Sequence, residues 1–391
     1  MTGKTLYVAF ELAKDKWLLA FATQAAEKPR FRQAPARNLG RLDEEIAKAK
    51  ARFRLPADAT VRTCYEAGRD GFWLHRALLA RGIENVVVDS SSIEVNRRKK
   101  CAKSDPVDAG KLLSLLCRYH EGERKVWSVV NVPTIEDEDR RQLHRGLTDL
   151  QRQQTECSNR IKGLLASQGI DVPVDATFRE RLAGLRDWNG KPMPTGMQQR
   201  LLQEFTIWEA LHQQIRAVIN EQERRLRKGP EPFLAKVRRL MGLRGVGVRG
   251  AWILVMELFS WRQIKNGKQL GALAGLTPTP YNSGDREREQ GISKAGNRRV
   301  RNLIVELAWL WLHWQPASAL SQWYERRFAS GNKRLRKVGI VALARKLLIA
   351  LWRYVEHGEI PEGAAEKDWR LRVSSAARRH AKAAAELAAV V

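Results

Sequence analysis

The sequence predicts an α/β domain followed by a longer and mainly helical region. Two observations support this division. Strand-like apolar runs alternate with helical periodicity over residues 1–130, and beyond that point the apolar residues recur only at helical spacing. The chain has 391 residues, of which 43% are hydrophobic. It can therefore form two or three domains with cores of their own.

The first region predicts a specific order of strands and helices. Strand-like runs occupy residues 5–12, 17–23, 31–36, 60–67 and 84–90. Helical patterns occupy residues 39–53 and 72–82, and a third helix begins near Asp105. The resulting order is β-β-β-α-β-α-β-α. It is the order of an RNase H-like fold, in which a three-stranded meander leads into parallel strands covered by helices.

The remainder of the chain predicts three further parts. Residues 131–232 hold two segments of heptad-like spacing, which favour an antiparallel helical hairpin or an oligomeric coiled coil. Two ordinary amphipathic helices on a core fit the same spacing. Residues 233–330 contain apolar helices and a Gly/Pro/Ser-rich loop, and residues 331–391 are a basic helical segment.

The chain is strongly basic. It has 70 Lys and Arg residues against 43 Asp and Glu, a net charge of +27. This excess predicts a polyanionic partner, usually nucleic acid, with a ribosomal or membrane-surface protein as the alternative. The four cysteines show no C-x-x-C pair, which fits a reducing compartment. The most apolar stretch, 303–314, contains two polar residues and is too short for a membrane span, so we expect a cytoplasmic protein.

Four acids are candidates for a metal site. Glu11 ends the first predicted strand, Glu66 ends the fourth, and Asp105 and Asp108 stand at the start of a helix. In the inferred fold these two strands are neighbours, so the carboxylates would converge. Such oxygen ligands suit one or two Mg²⁺ ions that hold a phosphate. A helix start with Asp105 as N-cap and Asp108 in the first turn explains the two aspartates equally well.

Two basic or glycine-rich motifs are candidates for phosphate contacts. One is a run directly before Asp105, formed by Arg97, Arg98, Lys99 and Lys100. The other is the stretch 243–247, which has the pattern of a helix-hairpin-helix element. In it, glycines let backbone amides approach a phosphate. Its candidate contacts are Arg244, Gly245 and Gly247. An ordinary glycine-rich helix connection is the alternative for this stretch.

A serine-containing loop is the candidate site of covalent chemistry. Ser283 lies in the sequence YNSG and is followed by several cations, namely Arg286, Arg288, Lys294, Arg298 and Arg299. A serine hydroxyl needs activation by a base or metal, and nearby cations would stabilise charge on a reacting phosphate. Ser293 fits the same chemistry and could instead cap the next helix. Most loop serines are turn residues, so the residues alone leave the choice open.

Five stretches resemble the DEDD transposases of the insertion sequence one-ten family, the bridge-RNA-guided serine recombinases. They are VAFELAKDKW, CYEAGRDGFWLHRALLARG, KSDPVDAGKL, LRGVGVRGAWIL and LAGLTPTPYNSGDREREQGISKAGN, and they span about residues 5–330. The resemblance implies a RuvC-like N-terminal domain, a coiled-coil insert and a C-terminal transposase domain. It also implies that Mg²⁺ is bound by Glu11, Glu66, Asp105 and Asp108.

The resemblance further implies a reaction and its partners. Ser283 would attack a DNA phosphate and form a phosphoserine intermediate, and strands of double-stranded donor and target DNA would then be exchanged through a Holliday-junction-like state. A structured non-coding guide RNA would select both DNA sites, much as Cas9-type effectors delegate sequence reading to base pairing. Two dimers would pair into a tetramer. The protein would act in the bacterial nucleoid, and we expect no membrane partner.

The chain departs from this family at its first acid. The family usually has Asp where this chain has Glu11, and the extra methylene moves the carboxylate by about 1.5 Å, roughly one bond length. Two other functions remain alternatives. A RuvC-like Holliday-junction endonuclease would need the acids and the basic surface but not the serine region, and a non-catalytic nucleic-acid-binding protein would have lost at least one acid.

Overall fold

The computed structural model describes residues 5–93, 104–283 and 286–370, and it describes side chains in these ranges except at 280–290. The chain divides into two compact units between Val132 and Pro133. The first unit is mixed α/β and the second is mainly helical. The predicted α/β region followed by a helical region is therefore confirmed. Within the described ranges, no helix is both long and apolar enough to cross a membrane.

The first unit contains a five-stranded sheet. Its strands are β1 (Leu6–Leu12), β2 (Lys16–Ala22), β3 (Arg30–Pro35), β4 (Val61–Glu66) and β5 (Glu84–Val88). The spatial order is β3-β2-β1-β4-β5. β1–β2 and β2–β3 are antiparallel pairs, whereas β1–β4 and β4–β5 are parallel. The predicted meander and the two parallel strands are thus observed, with β1 and β4 side by side.

Helices cover both faces of this sheet. They are α1 (Leu39–Arg52), α2 (Trp73–Leu79) and α3 (Asp105–His120). Side chains alternate along β1, so that Val8 and Phe10 enter the core that contains residues of α1 and α2, while Tyr7 and Ala9 enter the core that contains α3. Because both faces are buried, β1 reads as a continuous apolar run that ends at the polar Glu11.

The second unit opens with a pair of long helices. Its first helices are α4 (Ile135–Arg140), α5 (Gln142–Ala166), α6 (Phe178–Leu182) and α7 (Thr195–Lys228). Trp208 donates to the Ser158 hydroxyl, and Arg160 of α5 pairs with Glu204 of α7. A later residue of α5 thus meets an earlier residue of α7, so the helices run antiparallel. The hairpin alternative is the one observed.

The remaining helices share one large core, and two further strands form a small hairpin. The helices are α8 (Pro232–Met241), α9 (Val248–Leu254), α10 (Gly267–Leu273), α11 (Arg298–Trp314), α12 (Ala319–Tyr324) and α13 (Lys333–His357). The two strands are β6 (Pro278–Ser283) and β7 (Arg286–Ile292), which pair antiparallel. α9 continues as a π-helical turn over Val255–Phe259. Such turns are rare and often mark functional positions.

Candidate active site

Glu11 and Glu66 meet at one edge of the sheet. Each lies at or next to the C-terminal end of a strand, and these strands are parallel neighbours with Phe10 opposite Tyr65. Both glutamates are half-buried and line one cavity of about 460 Å³. The predicted convergence of these two carboxylates is therefore observed.

Helix α3 runs against the direction of β1 and β4. The Cys64 Sγ in β4 lies 3.9 Å from the Leu112 carbonyl oxygen, which marks the point where helix and strand cross. Towards the start of β1, the ring centroids of Tyr7 and His120 are 5.9 Å apart, so the end of α3 lies near the beginning of that strand. The first turn of α3 consequently lies towards the C-terminal ends of the strands.

This direction brings Asp108 towards the edge that carries Glu66. Asp108 precedes Leu112 by one helical turn, about 6 Å. Glu66 lies two residues beyond Cys64, about 6.6 Å along the strand. The two acids are thus displaced by similar lengths in the same direction from the crossing point. Asp108 is half-buried, whereas Asp105 is exposed.

The local role of the two aspartates is also clear. α3 begins at Asp105 with Ser104 as N-cap and a proline in its first turn, and both aspartates lie in that turn. The helix-start explanation is therefore correct, with Asp105 one position later than the N-cap. Negative side chains in a first turn stabilise the helix through its dipole, and this does not prevent a second role.

The acids do not form a complete metal site by themselves. Within the described part of the chain, no group of three or more His, Cys, Asp or Glu side chains is close enough to hold a metal ion. The donor atoms nevertheless fit Mg²⁺, because all are carboxylate oxygens. The cavity has a third acid that the sequence analysis missed: Asp70, whose side chain is 8% exposed and pairs with Arg37 at 3.7 Å. Its position four residues after Glu66, in the sequence GRDG, was the available signal.

Ser283 is the last residue of β6, and its backbone pairs with that of Arg286 across the hairpin. Arg288 pairs with Tyr281 two positions further along the hairpin. The side chains of 280–290 lie outside the described set, so this register is what the structure adds at Ser283. The run Arg97–Lys100 also lies outside the described residues.

A tight loop connects this hairpin to α11. Asn297 is the N-cap of α11 and accepts hydrogen bonds from the amides of Arg299 and Val300. The alternative in which Ser293 caps this helix is therefore wrong. Ser293 is exposed, and its amide donates to the Thr277 carbonyl oxygen at 2.8 Å. Gly296 has φ +127°, and a Cβ there would lie 2.5 Å from a backbone oxygen, so only glycine fits.

Three of the five predicted cations near the serine lie around this loop, whereas Arg286 and Arg288 belong to β7. Arg298 and Arg299 are exposed residues at the start of α11, and Lys294 is exposed in the loop with φ +54°. An exposed pair of arginines in the first helical turn is available to a phosphate. Arg301, one turn into α11, donates instead to the Lys294 carbonyl oxygen and stabilises the loop.

The glycine motif forms a sharp connection between α8 and α9. Gly245 has φ +83°, and Gly247 is the N-cap of α9. Both line a cavity of about 470 Å³ together with Arg244, Trp314 and Lys367. Arg244 has an exposed side chain, while its backbone bonds Ala365 and Gln315. The connection predicted between two helices is observed, and its role in DNA binding stays a prediction.

A buried ion network was not predicted. Glu257, in the π-helical turn, is 1% exposed and accepts hydrogen bonds from His144 Nε2 at 2.9 Å and from Arg145 at 2.8 and 2.9 Å. Asn297 donates to the same carboxylate at 2.8 Å. Burial alone would raise the pKa of Glu257, but the hydrogen bonds from His144 and Arg145 outweigh burial and hold the pKa well below its usual range. One acid therefore joins α5, α9 and the helix that follows the serine hairpin.

The described cysteines are unsuited to nucleophilic chemistry. Cys64, Cys117 and Cys157 are buried free thiols. Burial raises the pKa of Cys117 to about 12 and that of Cys64 well above its ordinary value, so both stay protonated at neutral pH. Cys101 lies outside the described residues.

Comparison with known proteins identifies relatives along most of the chain. Residues 237–325 match the model of the transposase IS116/IS110/IS902 family. A putative transposase of Sinorhizobium fredii, y4rJ, is 40% identical over 378 residues, which cover 93% of this chain and 94% of that protein. The transposase for insertion sequence element IS1328 of Yersinia enterocolitica is 25% identical, with 56% of this chain and 63% of that protein covered.

A third relative points the same way. The transposase for insertion sequence element IS1111A of Coxiella burnetii is 26% identical over 232 residues, covering 59% of this chain and 60% of that protein. The matched family region includes the glycine connection, Glu257, the hairpin of Ser283 and the start of α11. The chain belongs to the IS116/IS110/IS902 family of transposases, enzymes that cleave and rejoin DNA.

Proposed function

We propose that the chain recombines DNA through a covalent bond to Ser283, with an RNase H-like first unit that holds Mg²⁺ and the reacting phosphate. The observation that carries this proposal is the shared cavity of Glu11 and Glu66 at the ends of two parallel strands. The strand order and the position of Asp108 support it, because a third carboxylate lies towards the same edge.

The metal ligands would be Glu11, Glu66 and Asp108. Asp105, three residues earlier in the first turn of α3, would be the fourth ligand. When bound, Mg²⁺ would polarise the phosphate and favour the ionised form of a nearby hydroxyl. Glu11 has the longer side chain where the family usually has Asp. Its place beside Glu66 at the strand ends leaves a cavity into which the extra methylene can extend.

The covalent step conserves the number of phosphodiester-type bonds. The Ser283 Oγ would form a bond to a DNA phosphorus, the bond from that phosphorus to one deoxyribose oxygen would break, and the oxygen would leave with a proton as a hydroxyl. Attack by a hydroxyl of the second DNA would reverse the step and release the serine. Arg298 and Arg299 would hold the phosphate, since their charges oppose the charge that develops on it.

The partners follow the same proposal. Donor and target DNA would be selected by a structured RNA encoded beside the gene, and two dimers would assemble so that carboxylates and serine come from different copies. The excess of basic residues supports contacts with both nucleic acids. The guide RNA and the tetramer are what the resemblance of the five sequence stretches implies.

The test is a search for the covalent adduct. The purified chain is incubated with labelled donor DNA, Mg²⁺ and RNA transcribed from the DNA that flanks the gene, and products are separated under denaturing conditions. We expect a protein–DNA adduct from the native chain and from Ser293→Ala, and none from Ser283→Ala, which still binds DNA. An adduct that persists in Ser283→Ala and disappears in Ser293→Ala would overturn the assignment.

A further inference from the structure

A wide groove lies beside the β6–β7 hairpin, which carries Ser283 and which we call the serine hairpin. It lies at the end of the hairpin formed by Pro278 and Ile292. It has a volume of about 1000 Å³, at the upper end of the range for ligand pockets. One wall is α13 from Lys333 to Ile349, and the other includes Pro278 at the start of β6 and Ile292 at the end of β7. We name it the α13 groove. None of the residues discussed for the candidate active site lines it.

The floor of the α13 groove is apolar. It is formed by Val338, Val341, Ala342 and Ile349, which recur at helical spacing along one side of α13. Val338 is 50% exposed, so this apolar strip is open to a ligand. Exposed apolar surface in a concave site generally marks a binding site, because leaving it in water is unfavourable.

The rim of the groove is basic. Five cations of α13 line it, namely Lys333, Arg334, Lys337, Arg345 and Lys346, and none of the described lining residues is acidic. Like charges so close together repel one another unless an anion is bound. The groove therefore fits a ligand with an anionic group at the rim of the groove and an apolar group over its floor.

An aromatic ring completes the groove. Trp323 lines it, and the Lys346 Nζ lies 4.8 Å from the centre of the indole ring. A flat ring beside cations and an apolar floor is the combination that binds unpaired nucleotides, with bases against the apolar surface and phosphates at the cations. Paired bases are stacked inside a duplex and offer no such flat surface to a groove.

The end of this chain is a poor alternative occupant. Residues 371–391 carry charge of the same sign as the groove, with Arg372, Arg378, Arg379 and Lys382 against Glu386. Repulsion between like charges therefore opposes insertion of this segment.

We propose that the α13 groove holds an unpaired nucleotide of the DNA strand that reacts at Ser283. Ser283 lies five residues along β6 from Pro278, a distance of about 17 Å at the usual rise of a strand. That length corresponds to roughly five nucleotide steps of DNA. Exchange of strands requires bases to leave one duplex before they pair in another, and the groove would hold a base in that state. The choice of DNA as ligand rests on the proposed function.

Binding of two DNA probes to the full chain tests the proposal. One probe is a short labelled duplex, and the other is the same duplex with unpaired thymidines in one strand; affinity is measured by fluorescence anisotropy. We expect the native chain to bind the second probe roughly tenfold more tightly, a typical effect of stacking one base. Equal affinity for the two probes would overturn the proposal.

Adjacent residues of α13 provide a matched control. Lys337 lines the groove and Arg336 does not, although both are exposed and Lys337→Glu and Arg336→Glu change the charge similarly. We expect Lys337→Glu to abolish the preference for unpaired thymidines. Arg336→Glu should keep this preference while lowering the affinity for both probes equally. Ala342→Trp, which fills the floor without altering charge, should also abolish the preference. Loss of the preference in Arg336→Glu to the same degree as in Lys337→Glu would contradict the assignment.

The outcome is separable from that of the adduct assay. Ser283→Ala should retain the preference, because its groove is unchanged. If the native chain forms the adduct but shows no preference, the groove assignment fails and the proposed function stands. If it shows the preference without forming an adduct, the proposed function fails. If Lys337→Glu weakens binding of an unpaired RNA loop but does not change binding of the DNA probes, the ligand of the groove is RNA and the proposal of a DNA ligand is wrong.

Discussion

Arg145 donates to both carboxylate oxygens of Glu257, at 2.8 and 2.9 Å, across a sequence separation of 112 residues. The two groups join the first turn of α5 to the π-helical turn after α9. His144, which is 2% exposed, completes the contact. Removing the charge of this carboxylate should destabilise the fold, because the Arg145 guanidinium would lose its counter-charge and the buried His144 would lose its hydrogen-bond acceptor.

Glu257→Gln should therefore destabilise the chain. We expect the free energy of unfolding to fall by about 3 kcal/mol, the usual cost of breaking a buried pair. Chemical denaturation measures the change. The control is Glu306→Gln, which removes the exposed pair with Arg249 and should cost less than about 0.5 kcal/mol. Equal losses in the two variants would contradict the importance of the buried network.

The stabilising effect of Glu257 should also depend on pH. Its pKa is lower in the folded chain than the ordinary value of 4.5, so folding favours the ionised form. The contribution is complete above about pH 4.5 and is lost as the pH falls towards the folded-state pKa. The difference in unfolding free energy between the native chain and Glu257→Gln should be constant from neutral pH down to pH 5 or so and shrink in stronger acid. A difference that instead grows in acid would contradict the lowered pKa of Glu257 in the folded chain.

Glu66→Gln should remove DNA cleavage without unfolding the chain. The substitution keeps the size of the side chain and removes its charge, and we expect at least a 100-fold loss of rate, about 2.7 kcal/mol of barrier. Glu84→Gln is the control, because Glu84 lies at the other end of the parallel strands and pairs with Arg62 at the surface. Normal cleavage by Glu66→Gln would contradict the assignment of Glu66 as a catalytic residue.

Gly245→Ala should cost stability through its backbone. Its φ of +83° is in the left-handed region, and a Cβ would lie 3.4 Å from the Leu310 oxygen and from Trp314. We expect a loss of about 1–2 kcal/mol, measured by thermal or chemical denaturation. Gly146→Ala, inside α5 with open space around the added Cβ, should instead stabilise by up to about 1 kcal/mol. Matching effects in the two variants would contradict the strain argument.

DNA affinity should fall steeply with salt. Each cation that neutralises a phosphate adds about 0.9 to the slope of log affinity against log salt concentration. Arg298→Gln should reduce this slope by about one, as the arginine is exposed at the start of α11. Arg353→Gln, also exposed but far along α13, is the control and should leave the slope unchanged. A flat salt titration of the native chain would argue against phosphate contacts.

The strands of the sheet could be predicted because their signals are local. The five residues of β1 before Glu11 are all apolar, and the strand ends at Leu12, one residue after this change to a polar side chain. The convergence of Glu11 with Glu66 followed from the order of elements, since parallel neighbours place their C-terminal ends together. The distance between Asp108 and these acids could not be predicted, because it depends on where α3 crosses the sheet.

The network around Glu257 was missed because its partners are distant in sequence. Its local signal was present, however: a single acid within the apolar sequence VMELF. A carboxylate in such a setting requires hydrogen-bonding partners when buried. Nothing in the sequence near Glu257 indicates that His144 and Arg145 supply them. Ser293 is likewise a residue type that often caps helices, but α11 begins at Arg298 with Asn297 as its N-cap.

The attachment of α5 at its first turn has a mechanical consequence. The helix has 25 residues and is therefore about 37 Å long. His144 and Arg145 are fixed at one end by Glu257, and the exposed Trp188 lies in the connection beyond the other end. A helix of this length, about 1.5 Å per residue, acts as a lever: a tilt of roughly 5° at the Glu257 pivot displaces its far end by about 3 Å. A small adjustment next to Asn297 would therefore be amplified at the tip of the helical hairpin, if α5 tilts as a rigid body.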